Sequence, residues 1–433
     1  MASGEPQGAP FNSTERAILV GVEWKRRRLS PHPPPNVEPD AEESLDELCE
    51  LAQSAGAVVL ERVFQFRDVP EAATLIGAGK VRELAAMAGS MRADMVLFDH
   101  DLTPTQQRNL EDQIGVKVLD RTQLILDIFA RRARTREGRL QVELAQLSYL
   151  LPRLTGHGAA MSRLGGGIGT RGPGETKLET DRRRISGKIK SIERELEGVR
   201  GTRGVHRQQR SAVPLATLAL VGYTNAGKST LFNRLTGAGV IADARMFATL
   251  DPTVRAAILP SRRRVLLSDT VGFIRRLPTT VVKAFRATLE EVNEATLILH
   301  VVDVSAPHVK EHRTHVIEVL REIGAERIPQ LLVLNKADRL PQPQLQAGVD
   351  TPSVVISALT GEGMDRLLQK IDEILPFDPL SRVQFRFPLR EGASISLLHE
   401  LGRVISVRYS SEFCDVDAEV PKSLRQRLAA FVN

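Results

Sequence analysis

Gly222-Tyr223-Thr224-Asn225-Ala226-Gly227-Lys228-Ser229 is the stretch that decides the fold of this chain. It follows the apolar run Leu218-Ala219-Leu220-Val221 and precedes the helix-like segment Thr230-Leu231-Phe232-Asn233-Arg234-Leu235. This setting is typical of a P-loop, whose backbone N–H groups point at phosphate oxygens between a strand and a helix. Lys228 would add a positive charge near the β- and γ-phosphates, and the Ser229 hydroxyl could bind Mg²⁺. A glycine turn without a ligand is the alternative, which the Lys-Ser pair and the preceding strand disfavour.

Three further segments follow predicted strands downstream. Asp269-Thr270-Val271-Gly272 supplies an aspartate that can bind Mg²⁺ and a glycine N–H that can sense the γ-phosphate. Asn335-Lys336-Ala337-Asp338 ends on a carboxylate that can accept two hydrogen bonds from guanine N1–H and N2–H₂, a donor pair that adenine lacks. Ser357-Ala358-Leu359 would place a backbone N–H near guanine O6. The predicted nucleotide is therefore GTP, with GDP as the product.

A switch segment is expected at Phe247-Ala248-Thr249-Leu250-Asp251-Pro252-Thr253, where Thr249, in preference to Thr253, would meet Mg²⁺ and the γ-phosphate. In this order the motifs resemble those of translation-factor-type GTPases. The predicted catalytic residues are Lys228, Thr249 and Gly272, and the predicted metal ligands are Ser229, Thr249 and Asp269. The predicted nucleotide contacts are Gly222, Tyr223, Thr224, Asn225, Ala226, Gly227, Lys228, Ser229, Phe247, Ala248, Thr249, Leu250, Asp251, Asp269, Thr270, Val271, Gly272, Asn335, Lys336, Ala337, Asp338, Ser357, Ala358 and Leu359.

Two positions bear on catalysis. Phe273 stands where many small GTPases carry the glutamine that orients the attacking water. Since a phenyl ring cannot hydrogen-bond water, we expect slow intrinsic hydrolysis that a partner would stimulate. Asn225 is similar to an asparagine that helps to bind K⁺ in some related GTPases, and a purely structural asparagine is an equally good interpretation.

The whole-chain composition limits the setting. A chain of 433 residues is too long for one compact core. No apolar run approaches the ~18 residues of a membrane span, and the N-terminus lacks the pattern of a signal peptide. Cys49 and Cys414 form neither a disulfide framework nor a metal site. We expect a cytoplasmic monomer, with partial peripheral association with a membrane left open.

Basic residues are concentrated in one region. Between Asp120 and Arg210 the chain has 20 Lys/Arg and 10 Asp/Glu, a surplus larger than the net charge of +6. Such a segment beside a GTPase suggests RNA, bound through its phosphates. A solvated helix face rich in arginine explains the count equally well.

The fold class predicted from hydrophobic periodicity is α/β with an added α+β region. We expect a disordered N-terminus (1–15), an α/β domain with parallel strands (16–120), a long antiparallel helical hairpin with a glycine-rich tip (121–200), a linker (201–214), a doubly wound P-loop GTPase domain (215–376) and a small α+β domain (377–433). The hairpin would begin with one helix from Arg121 to Leu151. Gly77-Ala78-Gly79-Lys80 lacks the P-loop spacing and is interpreted as a turn that opens a helix.

The glycine-rich tip carries the most specific resemblance. Its sequence from Gly165, through Gly172-Pro173-Gly174-Glu175-Thr176-Lys177, to Arg183 is similar to the signature of the HflX family of ribosome-associated GTPases. The resemblance covers about residues 17–375. It implies a hairpin that binds the RNA of the large (50S) ribosomal subunit. The sequence itself also suggests that Arg153 adds positive charge near the tip. The expected RNA contacts are Gly165, Gly166, Gly167, Gly169, Arg171 and Lys177.

The same resemblance implies GTP-dependent splitting or rescue of stalled ribosomes, often under stress. Two alternatives stay open at this point. One is a GTPase that assembles the large subunit, and the other is a non-catalytic RNA-binding scaffold that senses GTP.

Overall fold

The computed structural model describes residues 15–24, 41–156, 173–211, 215–237, 246–247, 249–250, 252–275, 286–340, 351–376 and 379–433. The predicted RNA contacts from Gly165 to Arg171, the switch residues Ala248 and Asp251, and the predicted disordered N-terminus lie outside these residues. The chain forms two compact units. The first contains Met1–Gly198, Asp243–Asp251 and Arg275–Arg286, and the second contains Val199–Ala242, Pro252–Ile274 and Ala287–Asn433.

The first unit is built on a four-stranded parallel sheet of order β2-β1-β3-β4. The strands are β1 (Arg16–Trp24), β2 (Val58–Arg67), β3 (Met95–Phe98) and β4 (Lys117–Asp120), and the surrounding helices are α1 (Ala41–Ser54), α2 (Ala78–Met91) and α3 (Pro104–Ile114). Ala17-Ile18-Leu19-Val20 is fully buried, as expected of a parallel strand that is covered on both faces. The predicted parallel α/β domain is confirmed, and Gly77 directly precedes α2, as the turn interpretation requires.

Two antiparallel helices follow this sheet. After α4 (Arg121–Arg132) come α5 (Arg136–Leu150), the 3₁₀ turn Leu151–Gly156 and the 39-residue helix α6 (Pro173–Ser211). Ion pairs of Glu143 with Lys188 and of Arg136 with Glu195 join α5 to α6 in antiparallel register, as a hairpin requires.

Two predictions for this region are wrong. The single helix from Arg121 to Leu151 is broken at residues 133–135, because the Thr135 hydroxyl accepts a hydrogen bond from Gly138 N–H and so caps a new helix. The linker predicted at 201–214 is helical as far as Ser211. Each of its two glycines costs about 1 kcal/mol of helix propensity. Its only proline, Pro214, follows the last helical residue, so no proline interrupts the helix.

The second unit contains a six-stranded sheet of order β10-β9-β8-β5-β7-β6, in which only β6 runs antiparallel to its neighbour. The strands are β5 (Thr217–Gly222), β6 (Thr253–Ile258), β7 (Arg264–Asp269), β8 (Leu297–Asp303), β9 (Gln330–Asn335) and β10 (Ser353–Val355). The helices are α7 (Lys228–Thr236), α8 (Arg286–Asn293), α9 (Val309–Glu322) and α10 (Met364–Ile374). This confirms the doubly wound GTPase domain. It also brings the carboxyl ends of β5, β7, β8 and β9 to one edge, where such folds bind ligands.

The same unit ends in an antiparallel sheet of order β11-β13-β12. Its elements are β11 (Leu380–Pro388), α11 (Gly392–Leu401), β12 (Arg403–Tyr409), β13 (Phe413–Pro421) and α12 (Lys422–Arg427). This is an α+β arrangement. The alternating sequence predicts strands at Val383–Phe387 and Ile405–Tyr409, but it does not predict the central strand β13. In the described part of the chain, no helix is long and apolar enough to cross a membrane.

Candidate nucleotide-binding site

The P-loop connects the end of β5 to the start of α7. Each of its two glycines is required for a different structural reason. A Cβ on Gly222 would lie 2.2 Å from the carbonyl oxygen of Val301, so no side chain fits there. Gly227 has φ of +91°, and a Cβ on it would lie 2.3 Å from Nδ2 of Asn335. The loop therefore packs directly against neighbouring strand ends, which fixes the direction of its backbone N–H groups.

Lys228 is folded back over this loop. Its Nζ donates hydrogen bonds to the carbonyl oxygens of Gly222, at 3.1 Å, and Tyr223, at 2.8 Å. Burial lowers the pKa of the Lys228 ammonium group to about 8, although the Asp269 carboxylate acts in the opposite direction. The site thus holds a poorly solvated cation, which a phosphate group would stabilise.

Ser229 and Asp269 lie side by side. The Ser229 hydroxyl donates a 2.8 Å hydrogen bond to Oδ2 of Asp269, at the end of β7. Next to it, the Thr270 hydroxyl donates to the carbonyl oxygen of Leu220 at 2.5 Å and ties this segment to β5. A hydroxyl beside a buried carboxylate is a donor set of hard oxygens, which suits Mg²⁺.

Gly272 and Phe273 run directly over the P-loop. A Cβ on Gly272 would lie 2.9 Å from Cα of Thr224 and 3.0 Å from Nζ of Lys228. Phe273 N–H donates to the carbonyl of Gly222 at 3.0 Å, and Thr224 N–H donates to the carbonyl of Phe273 at 2.7 Å. The Phe273 side chain is only 3% exposed, so it packs inside the domain.

Asn335 joins three of the predicted motifs. Its side chain is 2% exposed, donates to the carbonyl of Ala226 in the P-loop at 2.8 Å and accepts from Ala358 N–H at 2.9 Å. Both partners are backbone groups, so the Asn335 side chain fixes the main chain of the P-loop at Ala226 and of the segment at Ala358. The structure thus brings the P-loop and the segments 335–338 and 357–359 together, as the sequence predicted.

Asp338 is held in place by Ser357, whose hydroxyl donates to Oδ1 at 2.5 Å. Between Asn335 and Asp338, Lys336 has φ of +66°, and its Nζ lies 2.6 Å from a carboxylate oxygen of Asp303. Sequence reasoning missed Asp303. Its position at the carboxyl end of β8, on the ligand edge of the sheet, was the available signal.

Three further residues were predicted to contact the nucleotide: Val271, Ala337 and Leu359. The Ala337 N–H donates to the carbonyl of Ile356 at 3.2 Å, which orients the turn before Asp338. Val271 is buried, whereas the Leu359 side chain is 73% exposed. Leu359 can therefore act through its backbone, whose carbonyl accepts from Arg234 at 3.1 Å.

The switch residues Phe247, Thr249 and Leu250 belong to the first unit. Phe247 has φ of +56°, and its buried ring meets Phe129 edge to face, with 4.5 Å between centroids. The preceding Met246 N–H donates to the Ser54 hydroxyl at 3.0 Å. Leu250 is buried and Thr249 is half-buried. The Mg²⁺ role of Thr249 stays a prediction, because the P-loop belongs to the second unit.

Arg153 was expected to add positive charge near the glycine-rich tip, but it packs against buried groups of the first unit. Its guanidinium donates to Asp120 at 3.1 Å and to the carbonyl of Leu102 at 2.7 Å, and it covers the Tyr149 ring. Asp120 is 1% exposed. Arg153 is thus an internal counterion for a buried carboxylate, and the prediction that it adds free charge near the tip is wrong. The Lys177 side chain lies outside the described part of the structure.

Taken together, the Lys-Ser P-loop, the Asp269–Gly272 segment and the Asn335–Ala358 connection define a P-loop GTPase. Three family models match the chain: "GTP-binding GTPase N-terminal" at residues 42–130, "GTP-binding GTPase Middle Region" at 132–210 and "50S ribosome-binding GTPase" at 217–336.

Curated relatives extend these matches over nearly the whole chain. The chain is 49% identical to GTPase HflX of Caldanaerobacter subterraneus subsp. tengcongensis, over 96% of this chain and 94% of the relative. It is 44% identical to GTPase HflX of Escherichia coli, with the same shares of the two chains covered. This chain belongs to the HflX family of GTPases and is a GTP-hydrolysing enzyme, which confirms the resemblance seen in its sequence.

Among solved structures, the chain is similar to a GTP-binding protein from the hyperthermophilic archaeon Sulfolobus solfataricus in complex with GDP. The TM-score is 0.44 at 24% identity, over 83% of this chain and 98% of that one.

Proposed function

We propose that this GTPase binds the large (50S) ribosomal subunit in its GTP state and splits or rescues stalled ribosomes, with hydrolysis releasing it. The observation that carries the proposal is the guanine-nucleotide site in a domain that matches the "50S ribosome-binding GTPase" model. A cytoplasmic monomer suits this role.

The hairpin supports an RNA partner. On α6 the side chains of Arg182, Arg184 and Lys190 are exposed, and the helix continues for 39 residues from the glycine-rich tip. Cations along a long helix can follow a phosphate backbone without a base-specific contact. We therefore assign the RNA-facing role to the exposed cations of α6 and to the tip residues Gly165, Gly166, Gly167, Gly169, Arg171 and Lys177.

Two cations belong to the proposed site. The Ser229 hydroxyl and the Asp269 carboxylate would hold Mg²⁺, together with Thr249, and the ion would neutralise charge on the phosphate oxygens. Asn225 is exposed in the P-loop with φ of +60°, so its side-chain oxygen is accessible to K⁺. Turnover in K⁺ compared with Na⁺ tests this second ion, and equal rates would exclude it.

The deciding experiment measures GTP turnover with and without purified mature large subunits, at one fixed salt concentration because phosphate contacts depend on salt. We expect strong stimulation by large subunits and none by small subunits. Unchanged turnover would contradict the proposal, and stimulation by precursor particles alone would indicate an assembly factor.

Charge variants locate the contact. Arg171→Ala and the double variant Arg182→Ala/Arg184→Ala should reduce subunit binding and leave intrinsic turnover unchanged. Arg366→Ala removes an exposed charge from α10 in the second unit and is the matched control. Loss of binding in proportion to the charge removed, in Arg366→Ala as in the hairpin variants, would show that net charge, and not the hairpin, determines the interaction.

A further inference from the structure

Helix α9 carries two histidines that face the P-loop. His312 and His315 are three residues apart, so they lie on one face of the helix. The His312 ring stacks on the Tyr223 ring, with 3.9 Å between centroids and 9° between planes. The His315 ring meets Tyr223 edge-on at 6.3 Å. The residue that follows the first P-loop glycine is therefore packed against α9.

His315 also bonds the segment that follows Gly272. Its Nε2 lies 2.9 Å from the carbonyl oxygen of Ile274. Since a carbonyl oxygen only accepts, Nε2 carries the hydrogen and donates it. Ile274 is fully buried, so its carbonyl oxygen has little access to solvent, and His315 supplies it with a hydrogen-bond donor. On the other side of the ring, Nδ1 lies 3.9 Å from Glu318.

A short backbone path leads from Ile274 to the nucleotide site. The adjacent Phe273 exchanges hydrogen bonds with Gly222 and Thr224 of the P-loop, at 3.0 and 2.7 Å. The residue before it, Gly272, lies against Thr224 without room for a Cβ. His315 thus holds the far end of a three-residue segment whose near end passes over the P-loop.

We propose that His315 is a positioning residue for GTP hydrolysis: by holding the Ile274 carbonyl, it sets the path of the backbone that presents the Gly272 N–H to the γ-phosphate. The proposal rests on the assignment of Gly272 to the γ-phosphate. Since GDP lacks that phosphate, the effect falls on GTP turnover and spares GDP binding.

The test compares two variants of similar length. His315→Met removes the donor, whereas the amide of His315→Gln can still donate to Ile274. Because one net hydrogen bond is worth about 1 kcal/mol, His315→Met should lower intrinsic kcat by about fivefold, with KM for GTP and Kd for GDP within about twofold of wild type. His315→Gln should recover most of kcat. Thr314→Ala, on the exposed side of the same helix, controls for loss of helix stability and should leave kcat unchanged.

Two results would overturn the proposal, and the measurements distinguish them. Equal kcat in the Met and Gln variants, whether normal or reduced, would overturn the proposal, because the donor would then make no difference. Loss of GDP affinity together with early thermal unfolding in His315→Met would make His315 a stability residue and would also overturn it. All rates are measured without ribosomes, so a failure of the ribosomal proposal leaves this test intact.

Discussion

The charge on Lys228 gives a prediction that the structure makes quantitative. The Lys228 side chain is 6% exposed and is held by two carbonyl oxygens of the P-loop. Burial lowers its pKa from 10.5 to about 8. In the unfolded chain the ammonium group is solvated and keeps its ordinary pKa. In the nucleotide-free protein, folding therefore disfavours the protonated form of Lys228.

The sign follows from proton binding. Between pH 8 and 10.5 the unfolded chain keeps the Lys228 proton and the folded chain loses it. Stability rises with pH wherever the unfolded state binds more protons, here by about 1.4 kcal/mol per pH unit. Over the full interval the contribution is about 3 kcal/mol. Below pH 8 both states are protonated and the contribution is constant.

The assay is urea unfolding of nucleotide-free protein, followed by circular dichroism from pH 7 to 10, for wild type and Lys228→Met. Methionine has similar length and no charge, and every other titrating group cancels in the difference between the two proteins. The wild type should gain stability relative to Lys228→Met only above pH 8. With saturating GDP the gain should disappear in the wild type, because a bound phosphate keeps the ammonium group protonated. A pH-independent difference in nucleotide-free protein would refute the reasoning.

Three further predictions concern single side chains. Asn335→Ala removes the bonds to the P-loop and to Ala358, so calorimetry should show GDP and GTP affinities reduced alike by about tenfold or more, and a loss confined to GTP would contradict this role. Asp338→Asn should lower the preference for GTP over XTP by about a hundredfold in competition binding, and unchanged selectivity would exclude guanine recognition by Asp338. Arg153→Met leaves Asp120 buried without its counterion and should cost about 3 kcal/mol in urea unfolding, whereas Arg183→Met on exposed α6 should cost little.

The fold of the nucleotide site could be predicted because its motifs are local. A P-loop needs its glycines, lysine and serine at fixed spacing, and each later motif directly follows an apolar strand. Parallel strands bring their carboxyl ends to one edge, so motifs at strand ends converge without further information. The Asn335 contacts with Ala226 and Ala358 show this convergence in the structure.

Features that depend on distant partners could not be predicted in the same way. Arg153 looked like a tip cation, because its sequence does not reveal that Asp120, 33 residues earlier, is buried beneath it. The strand β13 alternates cleanly, with Cys414, Val416, Ala418 and Val420 buried, yet it alternates with acidic residues that weaken a strand assignment. Its arginine partners on β11 compensate the charge, and they come from another part of the sequence.

The burial of Phe273 leads us to expect that nucleotide binding and GTP hydrolysis are separable in this enzyme. The Phe273 ring is packed inside the domain and its backbone is paired to the P-loop, so neither Phe273 nor the buried Ile274 presents a side chain that could orient water. Lys228, Ser229 and Asp269 are nevertheless brought together where the phosphates would bind. We therefore expect nucleotide binding with slow intrinsic turnover. A bound partner that supplies or orders the missing polar group would then determine when GTP is hydrolysed. Such timing suits a factor that must stay bound until its task is finished.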